Sequence, residues 1–81
     1  MKKLLEQLVK ELVDKPDEVI VTEVETERMV IYELRVGDGD VGKIIGRHGR
    51  TATALRTLIS AITAKEGGKR AMMEIIEETS G

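Results

Sequence analysis

Between Val41 and Ala64 the chain reads as one helical run broken once, at Gly46-Arg47-His48-Gly49, and that break restricts how everything around it can fold. Glycine frees the backbone from the sterics of a Cβ, so two glycines three residues apart end one helix and let another begin at a new angle. The expected pieces are a short helix over roughly Val41 to Ile45 and a longer one from about Arg50 to Ala64, stopped by Gly67-Gly68. With 81 residues the chain has room for a single domain, residues 1–81, built on one small core.

The remaining segments supply a sheet for these helices to cover. Leu4, Leu5, Leu8, Val9, Leu12 and Val13 recur at helical spacing, which predicts an amphipathic helix over Lys3 to Val13. Asp14-Lys15-Pro16-Asp17 stops it, because proline lacks the amide donor and disfavours helical geometry in the residue before it. Val19 to Glu25 is rich in β-branched residues, and in Met29 to Val36 the residues Val30, Tyr32, Leu34 and Val36 alternate with Ile31, Glu33 and Arg35. Thr26-Glu27-Arg28 is short enough to make these two strands a hairpin. In Lys69 to Glu77, Ala71, Met73 and Ile75 fall on one face and Met72 and Ile76 on the other, which suits a strand with neighbours. The order α-β-β-α-α-β predicts a two-layer α+β sandwich, a three-stranded sheet with helices on one face.

Composition narrows the chemistry. There is no cysteine and one histidine, His48, so a thiolate nucleophile, a disulfide framework and a cysteine zinc site are all excluded, and His48 has no partner at metal-ligand spacing. No paired carboxylates flank a plausible pocket, and the chain is expected not to be an enzyme and to need no cofactor. Met1-Lys2-Lys3 opens as a signal peptide would, but Glu6, Lys10 and Glu11 interrupt the apolar stretch such a peptide needs, and no other segment is long enough to span a membrane. The expectation is a cytoplasmic protein. The net charge of -2 conceals a segregation: Val41 to Lys65 holds Lys43, Arg47, Arg50, Arg56 and Lys65 and no acidic residue, leaving -7 for everything outside it. An acidic body discourages indiscriminate binding to polyanions while the basic segment offers one docking place for phosphate; the plainer reading is a run of solvated charges.

Three glycine patterns overlap between Gly37 and Gly49. Gly37-Asp38-Gly39-Asp40-Val41-Gly42 matches the dinucleotide fingerprint, but Asp38 and Asp40 would face a pyrophosphate with negative charge and the chain lacks a second mononucleotide half. It reads better as a turn in which Asp40 caps the following helix. Gly39-Asp40-Val41-Gly42 repeats the G-x-x-G spacing with no basic residue inside it. Gly46-Arg47-His48-Gly49 differs, with two donors between its glycines and Lys43 and Arg50 beside it. Its glycines admit a nucleic-acid backbone without a Cβ in the way, and the following helix turns its free amides and positive dipole end toward phosphate. The competing reading is a tight helix–helix turn that needs glycine for its dihedrals.

The run Val41-Gly42-Lys43-Ile44-Ile45-Gly46-Arg47-His48-Gly49-Arg50-Thr51 resembles the core signature of KH domains, and the order of elements resembles their bacterial, type II arrangement. Ala54-Leu55-Arg56-Thr57-Leu58 and Gly68-Lys69-Arg70 are similar to segments of the small stand-alone bacterial KH proteins. The resemblance implies a domain that holds about four nucleotides of single-stranded RNA, its backbone clamped at the glycine loop and its bases laid in an adjoining groove. Carried to these positions, Gly46 and Gly49 admit the backbone, Arg47 and His48 touch phosphates, and Val41, Ile44 and Ile45 supply groove-lining apolar surface, with Gly42, Lys43, Arg50 and Arg56 in the same RNA-binding set. Ala52 stands where many KH domains carry a larger aliphatic residue. Tyr32 is the one aromatic, so the stacking platform of other RNA-binding modules is absent, whereas an aliphatic groove needs none. An RNA chaperone or post-transcriptional regulator is the implied role, against a KH-like scaffold whose glycine loop is only structural.

Projected at 100° per residue, the longer helix gathers Leu55, Leu58, Ile59 and Ile62 toward the core. The opposite face holds Thr53, Arg56, Thr57, Ser60, Ala61 and Ala64, with Arg56 its one charge. Small residues permit close helix–helix approach, so this face over Thr53 to Ala64 suits a homodimer; the alternative is a merely neutral exposed face. The family resemblance adds a heteromer with a second RNA-binding protein.

Overall fold

The computed structural model describes residues 1–77. Within them the order is α1 (Lys2–Leu12), β1 (Ile20–Glu25), β2 (Met29–Arg35), α2 (Val41–Ile45), α3 (Arg50–Lys65) and β3 (Arg70–Ile75), the α-β-β-α-α-β succession expected. Single 3-10 turns at Pro16–Glu18 and Arg47–Gly49 join α1 to β1 and α2 to α3. The sheet runs β1-β2-β3. β1 pairs antiparallel with β2 (Val21 opposite Leu34), and β3 pairs parallel with β2 (Met73 opposite Tyr32). Thr26 closes the hairpin: its hydroxyl accepts from the Met29 amide at 3.1 Å while its own amide donates to the Met29 carbonyl at 2.8 Å.

Alternation decides which sheet face is covered. Val21, Tyr32, Leu34, Ala71 and Met73 point one way and are buried against Leu5 and Val9 of α1, Ile44 of α2, and Leu55 and Ile59 of α3. Each fully buried aliphatic side chain in such a cluster contributes about 1.5–3 kcal/mol, and Leu5, Val9, Leu34 and Ile44 are completely buried. Burial, and then the Glu23 carboxylate, push the Tyr32 phenol above its ordinary value. The other face is open, with Ile20, Val24 and Met72 exposed. The two-sided apolar pattern of β3 therefore does not mark burial on both faces, since β3 is an edge strand with β2 as its one neighbour.

The boundaries differ from expectation where long-range bonds intervene. α1 ends at Leu12 rather than Val13, which is already extended (φ -103°, ψ 162°). Beyond it, the amides of Asp14 and Lys15 donate to the Asp40 carboxylate at 3.2 and 2.9 Å. Asp40 thus precedes α2 as expected, and its carbonyl accepts from the Lys43 amide at 3.0 Å, but its side chain makes no cap on α2. The carboxylate is buried, 2% exposed, and binds the end of α1 to the start of α2 across about twenty-five residues of sequence. The projection of α3 also needs one correction. Its buried stripe is Ala52, Leu55 and Ile59, and Leu58, one residue or 100° from Ile59, is 42% exposed instead of core.

Replacing Asp40 by alanine strands two partly buried amides and leaves Lys43 one carboxylate poorer. The expected cost is about 2–3 kcal/mol, read as a lower urea midpoint at unchanged slope; a midpoint equal to wild type would show that the bracket is dispensable.

Candidate nucleic-acid interface

The glycine loop takes its shape from how closely α2 and α3 meet. Gly46 ends α2 with φ 77° and ψ 171°, its amide donating to the Gly42 carbonyl at 2.9 Å. A Cβ at this position would run into the side chain of Thr51 and lie 2.9 Å from its amide nitrogen, so glycine is required by space as well as by dihedral. The chain then makes one 3-10 turn, closed by the Gly49 amide on the Gly46 carbonyl at 3.1 Å. His48 sits within it in the left-handed region (φ 57°, ψ 24°), which histidine enters more readily than most side chains. Gly49 follows at φ 73° and no side chain caps α3. The Arg50 amide is spent on the Arg47 carbonyl, leaving the next amides and the positive end of a sixteen-residue helix facing the loop.

This turn pushes Arg47, His48 and Arg50 outward. All three are exposed, and among the described residues none of them has an acidic partner. Beside them lies a groove of about 330 Å³ whose walls come from Val41 and Ile45 on α2, Gly49 of the loop, Ala52, Thr53 and Arg56 on α3, and Ile75 and Glu77 at the end of β3. Ile45 is 39% exposed into this region and Val41 is half-buried. Ala52 is buried beneath the groove and lines it with a small side chain. The site therefore joins a cationic rim to an aliphatic trough.

Two members of the expected set point elsewhere. Ile44 is completely buried in the core and contributes by fixing α2 rather than by lining the groove. Lys43 lies about half a turn from Val41 and Ile45, and its ammonium pairs with Asp14 at 3.1 Å and Asp40 at 3.7 Å, an arrangement that raises its pKa above the ordinary lysine value, chiefly through the hydrogen bond to Asp14. Arg56 has a divided role. Its Nε donates to the Met73 carbonyl on β3 at 3.3 Å, which ties the guanidinium to the sheet edge in the groove wall. Gly42 lies on α2 beside Val41 and faces the larger trough that adjoins the groove; it has ordinary helical dihedrals and nothing within 4 Å of where a Cβ would stand. The fold does not require glycine there.

Ala52, Thr53, Ile75 and Glu77 were not anticipated as groove residues. The first two are legible only once α3 is rotated onto the sheet, and the last two only once β3 is known to be the edge strand beside α3. Among the described residues no group of histidine, cysteine and carboxylate side chains is arranged to hold a metal ion, and no helix is long and apolar enough to cross a membrane.

The model of the KhpA/KhpB KH domain matches residues 2–75. The RNA-binding protein KhpA of Clostridium acetobutylicum is 54% identical over 76 residues, covering 94% of this chain and all of that protein. The proteins of the same name from Aquifex aeolicus (51% over 77 residues, 95% and 96% covered) and Chlamydia trachomatis (49% over 78 residues, 96% and 99% covered) are similar to it to nearly the same degree. No solved structure matches the chain. A mixed three-stranded sheet, a G-x-x-G loop between two helices and similarity along nearly the whole length agree: the chain belongs to the KhpA/KhpB family of KH domains.

Proposed function

We propose that this chain is one KH domain that binds single-stranded RNA by clamping the sugar-phosphate backbone at Gly46-Arg47-His48-Gly49 and laying bases over Val41, Ile45 and Ile75, and that it works in the cytoplasm as an RNA chaperone or post-transcriptional regulator. The observation that carries this is the exposed Arg47-His48 pair, free of acidic partners and adjoining an open aliphatic groove. The names of the relatives support RNA as the ligand, and the family is one of binding domains and not of enzymes. Phosphate contacts of this kind position a strand without reading its sequence; what is read comes from the groove.

The competing reading, a scaffold whose glycines are only structural, has one observation in its favour, the collision that excludes any side chain at Gly46. The two readings separate at Arg47 and His48, which the fold does not use. Replacing both with aspartate is expected to leave the thermal midpoint near wild type and to weaken binding of a short single-stranded RNA by more than about tenfold in a filter or anisotropy assay. A folded double variant with wild-type affinity would favour the scaffold.

Gly42 offers a separate test. In Gly42→Ala the helix gains roughly 0.5–1 kcal/mol, since alanine costs less conformational entropy than glycine in a helix. If a strand crosses α2 at this bare position, the same change lowers RNA affinity. Higher stability with unaltered affinity would take Gly42 out of the site.

The exposed face of α3 fits a homodimer contact and also a heteromer with a second RNA-binding protein. Thr53, Thr57, Ser60, Ala61 and Ala64 are all exposed, and the exposed Leu58 adds an aliphatic edge to them. Two copies joined there present two short sites to one RNA, which raises avidity where a single groove binds weakly. Ala61→Arg places a long charged side chain within that face. The expected result in sedimentation velocity is a dimer for the wild type and a folded monomer for the variant; identical sedimentation of the two would remove the contact.

A further inference from the structure

A second concavity is larger than the groove beside the glycine loop. It is a trough of about 1020 Å³ toward the other end of α2, bounded by the Gly37–Asp40 turn, the start of β1 and the end of β3. Its apolar surface includes Ile20, Val36 and Ile76, and Ile20 is 55% exposed, more than any other large hydrophobic residue described. Asp17, Glu18, Asp38 and Glu77 line it, against two cations, Lys15 and Arg35. Both cations are already engaged within the chain, Lys15 by donating from Nζ to the Asp38 carbonyl at 3.0 Å.

Trough and groove meet at Val41 and Glu77, which line both, yet the chemistry reverses across that boundary. On the groove side the charges are Arg47, Arg50 and Arg56 against the shared Glu77; on the trough side they are mostly carboxylates. A polynucleotide continued into the trough would set its phosphates against those carboxylates inside the Debye length of about 8 Å, where salt screens poorly. RNA is therefore the wrong occupant. Aliphatic surface within an acid-lined concavity is covered favourably only by a chain that brings aliphatic side chains and cations together. The volume matches the upper end of ligand pockets, about 300–1,000 Å³, which is suited to the side chains of a short segment and too small for a folded domain.

We propose that this trough docks a basic peptide segment of a partner protein, with Lys or Arg side chains facing Asp17, Glu18 and Asp38 and aliphatic side chains over Ile20, Val36 and Ile76. The surface adjoins the RNA groove at Val41 and Glu77 and does not include the glycine loop, so a partner and a strand can be held side by side. A second copy of the chain fits less well, because its body outside the Val41–Lys65 segment is acidic too.

The test is an amide-resolved NMR titration of the full chain, first with a short synthetic peptide of arginine and leucine and separately with a short single-stranded RNA. The peptide is expected to shift the signals of Ile20, Gly37, Asp38, Gly39 and Ile76, and the RNA those of Ile45 to Arg50. Glu18→Gln with Asp38→Asn should weaken the peptide about tenfold, as should Ile20→Ser, while RNA affinity stays within about twofold. Glu11→Gln with Glu27→Gln, equal in charge change but remote from the trough, should leave the peptide unaffected. Peptide shifts spread over all acidic surfaces, equal weakening by the remote pair, RNA shifts centred on Gly37–Gly39, or trough shifts that depend on protein concentration without peptide would each overturn the proposal. Failure of the RNA to bind would leave the peptide result intact and count against the clamp alone.

Discussion

The close passage of Gly46 over Thr51 governs the exposed end of the molecule. Because no Cβ fits between them, α2 must stop where it does, and the three residues that follow can only turn outward before α3 begins. The Arg47 and His48 side chains are then raised at the mouth of the groove by backbone geometry, with no side-chain contact among the described residues holding them. A loop built this way is preorganised, so for a ligand strand bound there the ordering cost would fall on the strand and not on the loop. Glycine at Gly46 is thus a folding requirement that happens to leave a surface, which explains why structural and functional readings of the same motif are hard to separate and why the two side chains between the glycines carry the distinction.

A second constraint keeps that surface selective. The Asp40 carboxylate, buried and bonded to two amides at the end of α1, holds α2 against the α1 side, while Asp14 and Asp40 together neutralise Lys43. One lysine of the basic segment is consequently removed from the pool of free cations; Arg47, Arg50 and Arg56 remain at the loop and groove, while Lys65 lies at the other end of α3. Since exposed charges more than about 8 Å apart are largely screened at physiological salt, a polyanion senses this local cluster more than the overall net charge. An acidic protein can therefore have a phosphate site where Arg47, His48 and Arg50 meet no carboxylate among the described residues, even though Glu77 stands in the wall of the adjoining groove.

Much of this was legible from local pattern. Helix period, the stop at Pro16, the hairpin and the glycine break are each written within a few residues, and the KH resemblance extends over nearly the whole chain. What escaped depended on the rotation of an element about its axis or on partners distant in sequence. Ile44 and Ile45 are adjacent and equally apolar, and only packing shows that the first is core and the second groove. Leu58 sits a quarter turn from the buried stripe, close enough for a projection to place it inside. The carboxylate of Asp40 reads as a helix cap because capping is the local use of aspartate, whereas here the amides of Asp14 and Lys15 compete for it successfully across the fold. Ile75 and Glu77 became visible as a groove wall only when β3 proved to be the edge strand next to α3.

The same topology ties strand binding to assembly. Thr53 and Arg56 belong to the exposed face of α3 and also line the groove, and Arg56 is further tied to the edge of β3 through the Met73 carbonyl. An occupant packed on α3 would press on two side chains that a strand in the groove also meets. Any free energy that one occupant gains or loses through the presence of the other is then returned in equal measure, because coupling between sites is reciprocal. For a groove of about 330 Å³, too small to hold a long strand by itself, this contiguity would let any occupant of the exposed α3 face influence what the groove holds. The acid-lined trough shares Val41 and Glu77 with the groove, so any coupling between its occupant and a strand passes through that common wall.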